Sequence, residues 1–128
     1  MNISNTYRSI LCFSLLLLGS SIVLAKDAKV AGTDFHATGT IPCATVRGQP
    51  MGSCDFGVKR AGNGNATVTI TRADGHHRMI VFKKGKAVSY GQNTTKPSPI
   101  KATKKADLNF IQIGAERYEI PDIIIFGD

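Results

Sequence analysis

The sequence predicts an all-β fold: a small single-domain sandwich or partly open barrel of about six to eight short antiparallel strands with one disulfide-closed loop. Three observations predict it. From Ala66 to Arg72 the chain alternates, with Thr67, Thr69 and Thr71 in one phase and Val68, Ile70 and Arg72 in the other, the period of two that a half-buried strand imposes. Turn residues punctuate the chain at Gly62-Asn63-Gly64-Asn65, Asp74-Gly75, Lys83-Lys84-Gly85 and Gly114-Ala115. No segment keeps helical periodicity over the roughly ten residues that mark a helix.

Taken in order, Met1 to Ser9 is polar and carries Arg8, and Ile10 to Leu18 is apolar except for Ser14. Gly19-Ser20-Ser21 interrupts the run before Ile22-Val23-Leu24-Ala25. This is the pattern of a cleaved signal peptide, with Val23 and Ala25 at the positions a signal peptidase inspects. The apolar run falls short of the ~20 residues of a membrane span. The expected cut follows Ala25, giving a signal peptide at 1-25, which takes Cys12 with it, and a single β-rich domain at 26-128. No stable membrane span is expected after cleavage. A domain of this size buries somewhat over ~60% of the surface its unfolded chain exposes, a modest core.

Cys43 and Cys54 remain, and an even count in an exported chain reads as a disulfide. Closing so short a loop stabilises a fold by roughly 3 kcal/mol. Their spacing is neither a metal-ligand pattern nor a Cys-x-x-Cys redox pair.

Lys26 to His36 reads as a lead-in with a short strand near Phe35, and Gly39 to Ala44 as an extended piece into the first cysteine. Thr45 to Ser53, with Gly48, Gln49, Pro50, Met51 and Gly52, is loop chemistry. Phe56 to Lys59 is a short strand. Asp74-Gly75 is read as a two-residue hairpin turn with both residues at positive φ. His77 to Phe82 returns as its partner, and Ala87 to Tyr90 extends the meander. Gly91 to Lys105, with Asn93, Pro97 and Pro99, reads as a long exposed loop. Leu108 to Ile113 and Arg117 to Ile120 form a hairpin, Pro121 interrupts it, and Ile123 to Phe126 reads as a last strand buried on both faces.

The runs Gly39-Thr-Ile-Pro-Cys43, Gly48-Gln-Pro-Met-Gly52, Cys54-Asp-Phe-Gly-Val58, Gly64-Asn-Ala-Thr-Val68, Asp74-Gly75 and Glu116-Arg-Tyr-Glu-Ile-Pro-Asp122 resemble a set of small secreted proteins of Gram-negative bacteria. The resemblance covers nearly the whole mature chain. It implies a periplasmic or secreted home and a self-contained module, and it brings no activity, ligand or catalytic residue with it.

The chain carries 16 Lys and Arg against 9 Asp and Glu, a net charge of +7. Export argues against nucleic acid as the partner, leaving an anionic envelope polymer, lipid head groups or an acidic periplasmic protein. The sharpest local feature is a set of lysines with no acidic residue among them: Lys83, Lys84, Lys86, Lys96, Lys101, Lys104 and Lys105. They form a candidate anion site if the turns that carry them meet. Lysines also guard turns and edge strands against aggregation, which needs no ligand. Gln49 and Met51 in the disulfide loop, with Tyr90 beside the lysine segment, are the candidate interaction residues.

His76 and His77 point to opposite faces of a strand and cannot readily ligate one metal together, although one of them could pair with His36 or Asp74. Glu119 shares a face with Arg117, which favours a surface ion pair over acid-base chemistry. No nucleophile motif or phosphate loop is present. No catalytic residue, metal or cofactor is assigned, and the sequence sets no oligomeric state. Three readings follow: a non-enzymatic binding or interaction module, an inhibitor or immunity-type protein acting through the disulfide loop, and a small hydrolase using histidine.

Overall fold

The computed structural model describes residues 28–91 and 98–127, so the expected signal peptide and Lys96 lie outside the described residues. Nine strands precede one short helix: β1 (Ala37–Ala44), β2 (Gly52–Gly62), β3 (Asn65–Thr71), β4 (His77–Lys83), β5 (Lys86–Gly91), β6 (Ser98–Pro99), β7 (Lys101–Lys105), β8 (Leu108–Ile113), β9 (Glu116–Pro121) and α1 (Asp122–Phe126). Eight are full strands, and β6 is a two-residue segment. They form a single antiparallel sheet in the order β6-β5-β4-β3-β2-β1-β9-β8-β7. β5 comes against β7 and β8, so the sheet rolls into a nearly closed barrel, the barrel rather than the sandwich of the two architectures the sequence left open.

The period-two pattern decides what lies inside. In register, Val58, Val68 and Ile80 align across β2, β3 and β4, and Ala66 pairs with Phe82. On the other side, Ile111 pairs with Tyr118. All are buried, together with Ile41, Ile70, Ile120 and Ile125. Burial of an aliphatic or aromatic side chain stabilises by about 1.5–3 kcal/mol each, so this lining is the main stabilising term. Cys43 and Cys54 form the expected disulfide across the β1–β2 hairpin, with Cα atoms 5.8 Å apart and both residues buried.

Four local expectations change. β1 and β2 are longer than the pieces Gly39–Ala44 and Phe56–Lys59, because their pairing runs from Ala37↔Val58 to Cys43↔Gly52. The loop that the disulfide closes is correspondingly shorter. At the Asp74-Gly75 hairpin, the Arg72 N–H donates to the His76 carbonyl at 2.8 Å and the Gly75 N–H donates to the Arg72 carbonyl at 2.9 Å. Ala73-Asp74-Gly75 is therefore a three-residue loop with only Gly75 at positive φ, 82°. The Asp74 carboxylate accepts the His76 N–H at 3.0 Å and fixes the corner.

Gly91 to Lys105 is not one long loop. β6 pairs with β5 at Ser89↔Pro99, and β7 pairs with β8 from Lys101↔Gln112 to Lys105↔Leu108. An edge strand exposed at every position has no apolar phase to read, and proline is tolerated at an edge. Ile123 to Phe126 is helical, not a doubly buried strand. Pro121, at φ −65° and ψ 147°, ends β9, and Gly127, at φ 73°, closes the helix with its N–H donating to the Ile123 carbonyl at 2.9 Å. Only Ile125 of this run is fully buried.

The two ends of the barrel differ. One carries the β2–β3, β4–β5 and β7–β8 turns and is capped by α1, which packs on β2, β3 and β9. The other carries the disulfide loop and the β3–β4 and β8–β9 turns, and ionic side chains close it.

Candidate functional site

The lysines are gathered by turn geometry. Asn63-Gly64 and Lys84-Gly85 are two-residue turns with φ of 57° and 76°, and of 51° and 77°. They stack side by side, the Gly85 N–H donating to the Gly64 carbonyl at 2.9 Å and the Lys84 N–H to Asn65 Oδ1 at 3.3 Å. The Phe126 ring lies over both glycines: a Cβ would fall 2.8 Å from it at Gly64 and 2.7 Å at Gly85. Lys104 Nζ reaches the same place, 2.8 Å from Asp122 Oδ2 and 3.8 Å from a Cβ built on Gly85.

Lys83, Lys84, Lys86, Lys104 and Lys105 therefore meet at the helix-capped end, and all five are exposed. Arg60, which the sequence did not single out, joins them: its Nε donates to the Ile124 carbonyl at 2.9 Å. Among the described residues only Lys104 of these lysines forms an ion pair. Lys101 does not belong to the group. It starts β7 at the opposite end, paired with Gln112. Lys96 lies outside the described residues.

At that opposite end the three candidate interaction residues separate. Gln49 is engaged within its own loop, its Oε1 accepting the Thr45 N–H at 3.4 Å and its carbonyl accepting from Arg117 Nη2. Arg117 is thus committed to the loop, and the expected Arg117–Glu119 ion pair does not form. Met51 faces a groove of about 490 Å³ shared with Lys101, Thr103, Phe110, Gln112 and Arg117. Tyr90 lies at the same end but outside that groove, half-buried beside Lys101 and Gln112, with the Arg78 guanidinium 5.1 Å from its ring centre. It packs as a lid on a buried cation.

The cluster beneath Tyr90 was missed by sequence reasoning. Glu116 accepts from Arg72 Nη1 at 3.2 Å, Arg78 Nε at 3.2 Å, Arg78 Nη2 at 2.5 Å and the Tyr118 hydroxyl at 2.6 Å. Arg72 also pairs with Asp74 at 2.6 Å. Burial opposes the Arg78 charge, but the hydrogen bond and charge of Glu116 outweigh it and hold its pKa above the usual guanidinium value. Burial, then Glu116, pushes the Tyr118 hydroxyl well above the usual phenol range. With both Glu116 oxygens occupied, the cluster is a structural plug. Its signal was readable: Arg78-Ile80-Phe82 and Glu116-Tyr118-Ile120 each place a charge in the inward phase of a strand.

Each histidine has its own neighbour. His36 Nδ1 accepts the Arg60 N–H at 2.9 Å, His76 Nδ1 lies 3.3 Å from Asp74, and His77 Nδ1 lies 3.2 Å from Thr71 Oγ1. Among the described residues no three His, Cys, Asp or Glu side chains converge on a metal position. No protein-family model, curated protein or solved structure matches this chain.

Proposed function

We propose that this protein is a non-enzymatic binding module of a periplasmic or secreted setting, holding an anionic envelope component or an acidic protein by the basic, helix-capped end of its barrel. The observation that carries the reading is the convergence of Lys83, Lys84, Lys86, Lys104, Lys105 and Arg60 on one end. Among the described residues, Asp107 and Asp122 are the carboxylates beside them, so the described part of this end keeps a positive excess. Lysines act there as hydrated point charges, which suits a polyanion of loose sequence or shape more than a small rigid substrate. The disulfide and the signal-peptide pattern support an oxidising compartment.

The test compares two triple variants on an anionic matrix over a salt gradient. Lys84→Gln/Lys86→Gln/Lys105→Gln removes charge from the proposed end. Lys29→Gln/Arg47→Gln/Lys101→Gln removes the same charge elsewhere. The first should elute at much lower salt than the second, because exposed charges act over a screening length of about 8 Å at physiological salt. Equal losses would show that only net charge matters, and the reading would fall.

One observation favours a second reading. The disulfide loop, steadied by Arg117, exposes Val46 at 61% and Met51 at 36%, the kind of apolar tip an inhibitor or immunity-type protein inserts into a partner enzyme. A stoichiometric, salt-resistant complex lost on Met51→Ala would favour it.

A further inference from the structure

We infer that the helix-capped end is a docking surface for an anionic lipid bilayer, with Ile123 and Phe126 entering the head-group boundary inside a ring of cations. The inference rests on the proposed reading of this end as an anion site and names its partner. Ile123 and Phe126 stand three residues apart in α1, so they share one face of the helix, while Ile125 turns into the core. Ile123 is 60% exposed and Phe126 42%, among the largest apolar exposures of the described residues.

These side chains stand among the cations. Phe126 covers the Lys84-Gly85 turn, Arg60 binds the Ile124 carbonyl, and Lys104 holds Asp122 at the first turn. A soluble polyanion would engage the lysines and leave both apolar side chains in water. A bilayer of anionic lipid accepts both, since phosphates meet the lysines while the apolar pair enters the acyl boundary. Lysine stems lie along such a boundary with their ammonium groups at the phosphate level.

The chain contains no tryptophan, so Ile123→Trp supplies a single fluorescent reporter at the proposed depth. Mature protein is mixed with vesicles of phosphatidylcholine alone, or with about one-third phosphatidylglycerol, a surface that gains attraction from each nearby lysine. The expected result is a blue shift and quenching by brominated acyl chains, on the anionic vesicles only. Ile123→Ser should weaken partitioning about tenfold, the equivalent of one partly buried aliphatic side chain. Its retention on soluble polyglutamate should not change. Ile123 is chosen because Phe126 also packs on Gly64 and Gly85, and its loss would disturb the turns. Binding to anionic vesicles without a shift, or unaffected by Ile123→Ser, would overturn the inference. Lysine-dependent retention on polyglutamate with no vesicle binding would overturn it in favour of an acidic polymer or protein and leave the anion reading standing. Loss of both would bring down the reading itself.

Discussion

Glu116→Ala is the most informative perturbation of the fold. The Arg78 side chain is 9% exposed and that of Glu116 10%, and the carboxylate is the ion-pair partner of Arg78 among the described residues. Removing it leaves a buried guanidinium without an anion and a buried Tyr118 hydroxyl without its acceptor. Breaking a buried pair from one side costs about 3–5 kcal/mol. For a domain near 100 residues, each kcal/mol moves the melting temperature by about 4–8 °C, so a fall on the order of 20 °C is expected. The paired replacement Arg78→Met/Glu116→Leu removes both charges and keeps apolar volume, and it should be distinctly more stable than Glu116→Ala alone. The assay is urea unfolding followed by far-ultraviolet circular dichroism, with melting curves as a check. A loss under about 1 kcal/mol for Glu116→Ala would place the pair in the class of solvated surface bridges and refute the ionic plug.

Two further outcomes follow from the same geometry. Gly75→Ala adds a Cβ with nothing within 4 Å at φ 82°, so only backbone strain of about 1–2 kcal/mol is expected. Gly64→Ala, at φ 76°, also drives a Cβ to 2.5 Å from Gly85 N and 2.8 Å from Phe126, which should add about 1–3 kcal/mol of overpacking. Equal losses in denaturant unfolding would contradict the stacked turns. The raised Tyr118 pKa means that the folded state keeps a proton which the unfolded state gives up at ordinary phenol pKa. Its contribution is therefore complete below that value and declines as pH rises toward the folded pKa. Phenolate absorbance from Tyr118 should appear only with alkaline unfolding and vanish in Tyr118→Phe; ionisation while the fold persists would sink the assignment.

Much of this was legible in the residues, and for local reasons. Thr67, Thr69 and Thr71 alternating with Val68 and Ile70 specify a strand with one buried face, because successive side chains point to opposite sides. Asn63-Gly64 and Lys84-Gly85 supply the positive φ that tight turns require. Cys43 and Cys54 lie close enough in sequence that one hairpin brings them together. The sequence therefore determined the all-β class, the meander and the cross-link. Tertiary structure decided the rest. β7 is a strand only because β8 offers an unpaired edge, which its lysines and Thr103 could not announce. Ile123 to Phe126 became a helix because the end of the barrel needed a cap and one isoleucine sufficed to fill it. Whether seven lysines in one segment share a site depended on which strands run up and which run down. Five meet and Lys101 does not, because antiparallel pairing carries the start of β7 to the other end.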